Sequence, residues 1–289
     1  HRRQRQMCIR DRGKTAASVK DEDFVEQLIV ANTHRTLLCF SNLGKVYWLK
    51  VYEIPQASRT AKGRPLVNLI ELDEQERVTS LLDVQSFEDE AFVFMATQNG
   101  IIKKTPLSEF KRPRKNGKRA IKLDENDELV GTLLTNGNTD LMVVSNAGKA
   151  VFFNEKDARS MGRDTRGVKG ITLDRNQQVI SLLKPSKESE ILTVSENGYG
   201  KRSKVSDFRK TKRGAKGVIA MQTSQRNGDL ISAKEVSGTD EVILITNKGM
   251  LVRTKVSEIS LIGRNTQGVK VITLKEDEAL NGLALAIDS

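Results

Sequence analysis

CFSNLGKVYWLKV, residues 39–51, sets a glycine between two runs rich in β-branched and aromatic residues. That is the pattern of a β-hairpin, because a tight hairpin turn needs a positive φ that glycine adopts without steric cost. Four more copies follow: FMATQNGIIKKT (94–105), VVSNAGKAVFF (143–153), LTVSENGYGKRS (192–203) and LITNKGMLVRT (244–254). Their turn glycines, Gly44, Gly100, Gly148, Gly198 and Gly249, are separated by 56, 48, 50 and 51 residues, which marks an internal repeat.

Working outward, a second glycine follows each hairpin glycine after 19, 17, 19, 19 and 19 residues, at Gly63, Gly117, Gly167, Gly217 and Gly268. A short β-rich run comes after it, as in GVKGITL (167–173) and GVKVITL (268–274). An apolar run precedes each hairpin: VEQLIV (25–30), VTSLLDV (78–84), LVGTLL (129–134), VISLL (179–183) and LISAKEV (230–236), with LNGLALA (280–286) as a sixth copy of this run alone. Four strands in about 50 residues is the size of one propeller blade. The sequence therefore predicts an all-β array of four-stranded blades, with five complete repeats at 25–76, 77–128, 129–178, 179–229 and 230–278, and an incomplete closing blade at 279–289. Helix signals are weak, with single turns expected near Leu107–Phe110 and Val205–Phe208.

Composition narrows the functional classes. The 289 residues are 37% hydrophobic, enough for a packed core, and contain no run of about 18 apolar residues that would span a bilayer. No apolar signal-peptide core is present near the N-terminus, and the chain reads as cytoplasmic, without a membrane partner. Two cysteines, Cys8 and Cys39, and two histidines, His1 and His34, are too few for a disulfide framework or a zinc site. No Ser/His/Asp or Cys/His set is in plausible relation, so neither a catalytic residue nor a metal ligand is assigned. Asn197–Lys201 lacks the spacing of a phosphate loop and sits in a hairpin, and the acidic run Asp124–Glu128 lacks the glycine and terminal glutamate of a calcium loop. Trp48 and Cys39 read as packing residues of their strands.

The net charge is +11, and aromatics make up 4%, which favours contact with a duplex backbone over stacking on unpaired bases. The cations recur at matching places in the repeat. After the hairpins stand Lys50, Lys103 with Lys104, Lys201 with Arg202, and Arg253 with Lys255. Around the second glycine stand Lys62 and Arg64; Lys115, Lys118 and Arg119; Arg163, Arg166 and Lys169; Arg213 and Lys216; Arg264 and Lys270. Two stretches are densest: 103–119, which adds Lys111, Arg112 and Arg114, and 201–217, which adds Lys204, Arg209, Lys210 and Lys212. Charges repeated at one position of a radial array add along a curved stripe, which suits a bent duplex held through its phosphates. The plainer alternative is that each cation is solvated surface; recurrence at fixed repeat positions argues against that for the clusters.

Across residues 14–289 the chain resembles the C-terminal domain of bacterial gyrase A subunits. The resemblance rests on KTAASVKDEDF (14–24), LLCFSNLGKVYWLKVYEIP (37–55), GRPLVNLI (63–70), FMATQNGIIKKTPLSEF (94–110), NGYGKRS (197–203) and VSEISLIGRNTQGV (256–269). It implies a β-pinwheel fold and a non-catalytic domain that wraps duplex DNA. It further implies an A2B2 complex with the gyrase A cleavage domain and gyrase B, in which negative supercoils are introduced at the expense of ATP. The ATP and magnesium belong to other parts of that assembly, so no cofactor is expected in this fragment. The catalytic tyrosine of such enzymes lies upstream by the same resemblance, and Tyr47, Tyr52 and Tyr199 sit in or beside hairpins. The corresponding topoisomerase IV domain and a protein-interaction propeller are the competing readings. At the N-terminal end the resemblance fails: the family's glutamine–arginine–glycine box precedes the stretch matching Lys14–Ala17, whereas HRRQRQMCIRDRG (1–13) retains at most Arg12–Gly13 of it. Residues 1–13 read as a foreign, poorly ordered segment, and the two chain ends, around Val19 and Leu283, are expected to approach each other.

Overall fold

The computed structural model describes residues 4–6, 30–55, 66–88 and 90–286. In chain order its strands are β1 (Gln4–Gln6), β2 (Val30–Asn32), the hairpin β3 (Thr36–Ser41) and β4 (Lys45–Lys50), β5 (Val78–Val84), the hairpin β6 (Phe92–Thr97) and β7 (Ile101–Pro106), and β8 (Lys118–Arg119). There follow β9 (Leu129–Thr135), the hairpin β10 (Asp140–Ser145) and β11 (Lys149–Asn154), β12 (Val168–Lys169), β13 (Val179–Leu183), and the hairpin β14 (Glu190–Ser195) and β15 (Tyr199–Lys204). The last are β16 (Val218–Ile219), β17 (Leu230–Val236), the hairpin β18 (Glu241–Thr246) and β19 (Leu251–Lys255), β20 (Val269–Lys270) and β21 (Leu280–Ala286). Helical structure among the described residues is limited to short 3-10 turns, including the expected one at Leu107–Phe110 and, for the one expected near Val205–Phe208, a turn at Val205–Asp207. The five hairpin glycines occupy equivalent places. Each has a φ of 71 to 81° and donates its amide to the carbonyl three residues back, at 3.0–3.1 Å.

The expected five-bladed all-β array is observed, but a blade is not a repeat. The sheets have the orders β5-β3-β4-β8, β9-β6-β7-β12, β13-β10-β11-β16, β17-β14-β15-β20 and, with three strands, β21-β18-β19. Each of the first four hairpins thus pairs on one side with the first run of the next repeat and on the other with that repeat's short strand. Sequence periodicity fixes a period and leaves its phase open, since the run at 78–84 satisfies either neighbouring hairpin. Leu280–Ala286, expected to open a further blade, instead completes the fifth sheet beside β18. The fifth blade is accordingly three-stranded among the described residues. Gln4–Gln6, expected to be without order, pairs antiparallel with Val30–Asn32, while Val19 and the rest of 7–29 lie outside the described residues.

The strands β5, β9, β13, β17 and β21 pack successively and form the inner layer. There Ser80 Oγ lies 2.8 Å from Thr132 Oγ1, and Ala233 donates its amide to Ser181 Oγ at 2.9 Å. Apolar clusters fill the space between successive sheets. Leu38, Phe40 and Val46 of the first meet Val93, Met95 and Phe110 of the second, with Phe40 and Phe110 edge to face at 5.9 Å. Trp48 joins this packing and donates Nε1–H to Phe110 O at 2.7 Å. Cys39 is buried on the other face of the same sheet, and its burial pushes the thiol up to about 12, so it is an inert core residue. The four short strands β8, β12, β16 and β20 form the outer edges, and this places the site.

Candidate nucleic-acid interface

After its hairpin each repeat from the second to the fifth makes a 3-10 turn and then a strap that crosses to the outer edge of the preceding sheet. The crossing is recorded in parallel bridges between Lys104 and Ser160, Phe152 and Lys210, and Arg202 and Leu261. Backbone bonds fasten the straps: Met161 N to Lys104 O at 2.8 Å, Thr211 N to Phe152 O at 2.7 Å, and Ile262 N to Arg202 O at 3.0 Å. Because the strap is the segment that carries the second glycine and its flanking cations, strand exchange places these cations at one level of the perimeter.

Four cations taken from the sequence as surface groups point inward instead. Lys103, Lys104, Lys201 and Arg202 are 0, 7, 0 and 8% exposed, and they cannot reach a partner outside. Lys103 Nζ donates to Ala120 O at 2.8 Å and to Arg163 O; Lys201 Nζ donates to Gly263 O at 2.8 Å and to Arg264 O. Lys104 Nζ reaches Glu155 O at 3.1 Å, and Arg202 binds Ile259 O at 2.7 Å and Glu190 at 2.5 Å. Buried donors need acceptors, and the straps and 3-10 turns that pass over them provide backbone carbonyls, with the Glu190 carboxylate added for Arg202. These four residues therefore hold the straps in place and are withdrawn from the candidate interface.

Burial lowers Lys103 to about 7 and Lys201 to about 8, with Arg163 and Arg264 respectively adding repulsion. Below its folded pKa each ammonium bears the full burial penalty. From there up to the unfolded lysine value of about 10.4 the unfolded chain binds more protons, so stability rises with pH. The Lys103→Met variant lacks that increment: its stability relative to the parent is expected to worsen between pH 7 and pH 9.5 in paired urea titrations.

Three arginines also serve the scaffold. Arg163, Arg213 and Arg264, each four residues before the second glycine, donate to Arg119 O, Lys169 O and Ile219 O at 3.1, 3.0 and 3.0 Å. They remain half-buried on the perimeter and tie each strap to the one before it. The remaining strap cations are exposed, apart from the half-buried Lys118. On the first sheet these are Lys111, Arg112, Arg114, Lys115, Lys118 and Arg119; on the second, Arg166 and Lys169; on the third, Arg209, Lys210, Lys212 and Lys216; on the fourth, Lys270. Arg159, absent from the sequence reading, stands with Arg209, each eight residues before its second glycine, and is exposed. Aligning the straps residue by residue finds it. Lys50, Lys204, Arg253 and Lys255 are exposed at the ends of the hairpins, away from the straps, while Lys62 and Arg64 lie outside the described residues.

Neutralisation sorts the exposed set further. Lys111 pairs with Glu88, Lys115 with Glu71 at 2.8 Å, Arg166 with Asp124, Lys210 with Asp140, and Arg253 with Glu241. No ion pair to Arg112, Arg114, Arg209, Lys212 or Lys216 occurs among the described residues. Arg112, Arg114, Lys118 and Arg163 line an open concavity of about 540 Å³ together with Lys111, Ser108 and Glu109. Lys118 is lowered by burial and then by Arg163, Arg114 and Arg112, so the cluster repels itself and is stabilised by an incoming anion.

The comparisons with known proteins agree with this architecture. A family model described as the DNA gyrase C-terminal domain, beta-propeller, matches residues 35–85, 91–136, 139–186, 189–237 and 240–286. The chain is 50% identical over 272 residues to the DNA gyrase A subunit of Salmonella typhimurium, covering 94% of this chain and 31% of that protein, with the same figures for the Escherichia coli protein. The Haemophilus influenzae gyrase A subunit is 45% identical over 306 residues, covering 96% and 35%. The chain thus spans about a third of the length of these relatives. A solved DNA gyrase A C-terminal domain superposes with a TM-score of 0.80 at 28% identity, covering 95% of this chain and 90% of that one. The C-terminal domain of a DNA topoisomerase IV gives 0.83 at 26%, covering 92% and 85%. Five hairpin units matched in order, on a fold shared with these solved domains, place the chain in the DNA gyrase A C-terminal domain family.

Proposed function

We propose that this chain binds and wraps duplex DNA around its perimeter as part of a DNA gyrase A protein. The observation that carries the reading is the set of exposed cations without an ion pair among the described residues that strand exchange brings to the outer edges of the first and third sheets. Phosphate contacts of this kind need no base readout, and a curved row favours a bent duplex. In the assembly the domain partners the gyrase A cleavage domain and gyrase B in an A2B2 complex. ATP and magnesium act there outside this fragment, and the DNA segment presented by the wrap becomes the substrate for negative supercoiling. The level of identity to gyrase A proteins favours this over the topoisomerase IV reading. A protein-interaction propeller has no need of cations at fixed strap positions.

Wrapping is tested by binding the chain to nicked circular DNA, sealing the nick, removing the protein and resolving the topoisomers. A linking change of one sign that grows with protein per circle is expected. An unchanged distribution at saturation would reduce the function to binding without wrapping.

A further inference from the structure

The first sheet holds a side-chain pair that the next three lack. The short strands that close sheets one to four begin with Lys118, Val168, Val218 and Val269, so a lysine stands once where valine stands elsewhere. The residue four places after the hairpin glycine is Trp48 in the first sheet and Lys104, Phe152 and Arg202 in the others. Lys118 Nζ lies over the Trp48 ring, 5.7 Å from its centroid, and the indole is itself fixed by donating Nε1–H to Phe110 O at 2.7 Å. Among the described residues the Lys118 ammonium has neither an ion pair nor a hydrogen bond. It lines the concavity of about 540 Å³ with Arg112, Arg114 and Arg163. Arg163 is anchored by donating to Arg119 O at 3.1 Å and by Glu109 at 3.8 Å, and Glu109 is the one acid lining this space among the described residues. One amine held over an indole thus faces three guanidinium groups, which suit phosphate oxygens by their charge and planar donor geometry.

We propose that Lys118 is a modification site, at which an acyl phosphate binds in the concavity through its phosphate and transfers its acyl group to Nζ. Arg112, Arg114 and Arg163 hold the phosphate, and because the acyl carbon is one oxygen away from it, the reacting carbonyl is brought to the amine beside them. The Nζ lone pair forms a bond to the acyl carbon and the bond from that carbon to the bridging oxygen breaks. Inorganic phosphate leaves with that electron pair and takes the proton that nitrogen loses. The nucleophile is the free amine, and burial, followed by Arg163, Arg114 and Arg112, lowers Lys118 below the ordinary lysine value. Neighbouring lysines each lack a requirement. Lys115 is raised by its bond to Glu71, and Lys111 is paired with Glu88. Lys103 is lowered further, to about 7, but it is buried and bonded to carbonyls. The product is a neutral amide, so acylation removes one cation from the cluster. That this weakens duplex binding rests on the function proposed above; the acylation itself does not.

The test is to incubate the folded chain, without DNA, with acetyl phosphate and to follow acetylation of each lysine by peptide mass spectrometry. Lys118 is expected to react about ten-fold faster than Lys115, and added inorganic phosphate is expected to remove most of that advantage. In a second arm the donor is para-nitrophenyl acetate, which carries no phosphate, and there inorganic phosphate should leave the Lys118 rate unchanged. The variant combining Arg112→Gln and Arg114→Gln is expected to keep its melting temperature and to lose the preference of Lys118 for acetyl phosphate over the neutral ester. Equal rates at Lys118 and Lys115, or a Lys118 rate that phosphate does not slow, would overturn the proposal. Acetylation of Lys103 as fast as of Lys118 would overturn it too, because titration alone, and not the concavity, would then decide reactivity. Duplex affinity of the acetylated chain is measured separately: an unchanged value would count against the role of this cluster in DNA binding and leave the acylation site standing.

Discussion

Replacing Arg112, Arg114 and Lys118 together by glutamine is expected to weaken duplex binding by about two orders of magnitude near 0.1 M salt and to flatten its salt dependence. The expectation follows from counterion release: each phosphate neutralised contributes about −0.9 to the slope of log affinity against log salt, so losing three contacts changes the slope by about 2 to 3. These side chains are chosen because no carboxylate pairs with Arg112 or Arg114 among the described residues, and Lys118 is pushed down by burial and then by Arg163, Arg114 and Arg112. The triple variant of Arg209, Lys212 and Lys216 on the third sheet should behave alike. Lys210 and Arg213 of the same strap are less suitable, because the first is paired with Asp140 and the second tied to Asp157 O and Lys169 O. Affinity measured across salt for both variants, with thermal melting as the fold control, decides the matter. Unchanged affinity and slope in both would reduce these cations to solvated surface and remove the observation on which the functional reading rests.

The largest stability loss is expected from Gly148→Ala. The substituted residue must hold a φ of 71°, and its Cβ would stand 2.0 Å from Met221 O, a backbone atom of the covering strand that cannot rotate aside. The third hairpin and the short strand of the fourth repeat would have to separate, opening the cluster in which Ala150, Met221 and Ala220 pack. We expect a loss of about 3–5 kcal/mol. Gly214→Ala shares the left-handed backbone at a φ of 79° but meets only Lys169 O, at 3.6 Å, so about 1–2 kcal/mol of conformational cost remains. Denaturant midpoints of the two variants separate these contributions, and equal losses would mean that strand exchange contributes nothing at this turn.

Both experiments bear on the same device. The contact that makes Gly148 irreplaceable is the one that carries the next repeat's strap to the perimeter, so the fold's cohesion and the row of cations come from one strand exchange. The buried Lys103 and Lys201 serve the same end, as their ammonium groups stand where the straps turn and engage the carbonyls of Arg163 and of Gly263 and Arg264.

What the sequence determined by itself is local. The five hairpins were legible because a positive φ at the turn restricts the residue to glycine and because alternating side chains mark strands, and both constraints act within a dozen residues. The single turns at Leu107–Phe110 and Val205–Asp207 and the packing roles of Trp48 and Cys39 were legible for the same reason. Tertiary structure decided which strand joins which hairpin, since an open edge bonds any extended backbone and a repeat has the same period in every phase. It also decided which cations face outward. Lys103 and Lys118 look alike in a list of basic residues, but one donates to carbonyls, one of them 60 residues further on, while the other stands in a self-repelling cluster at the perimeter. Every residue carries a carbonyl, so the partner that draws a lysine inward leaves no mark in the sequence.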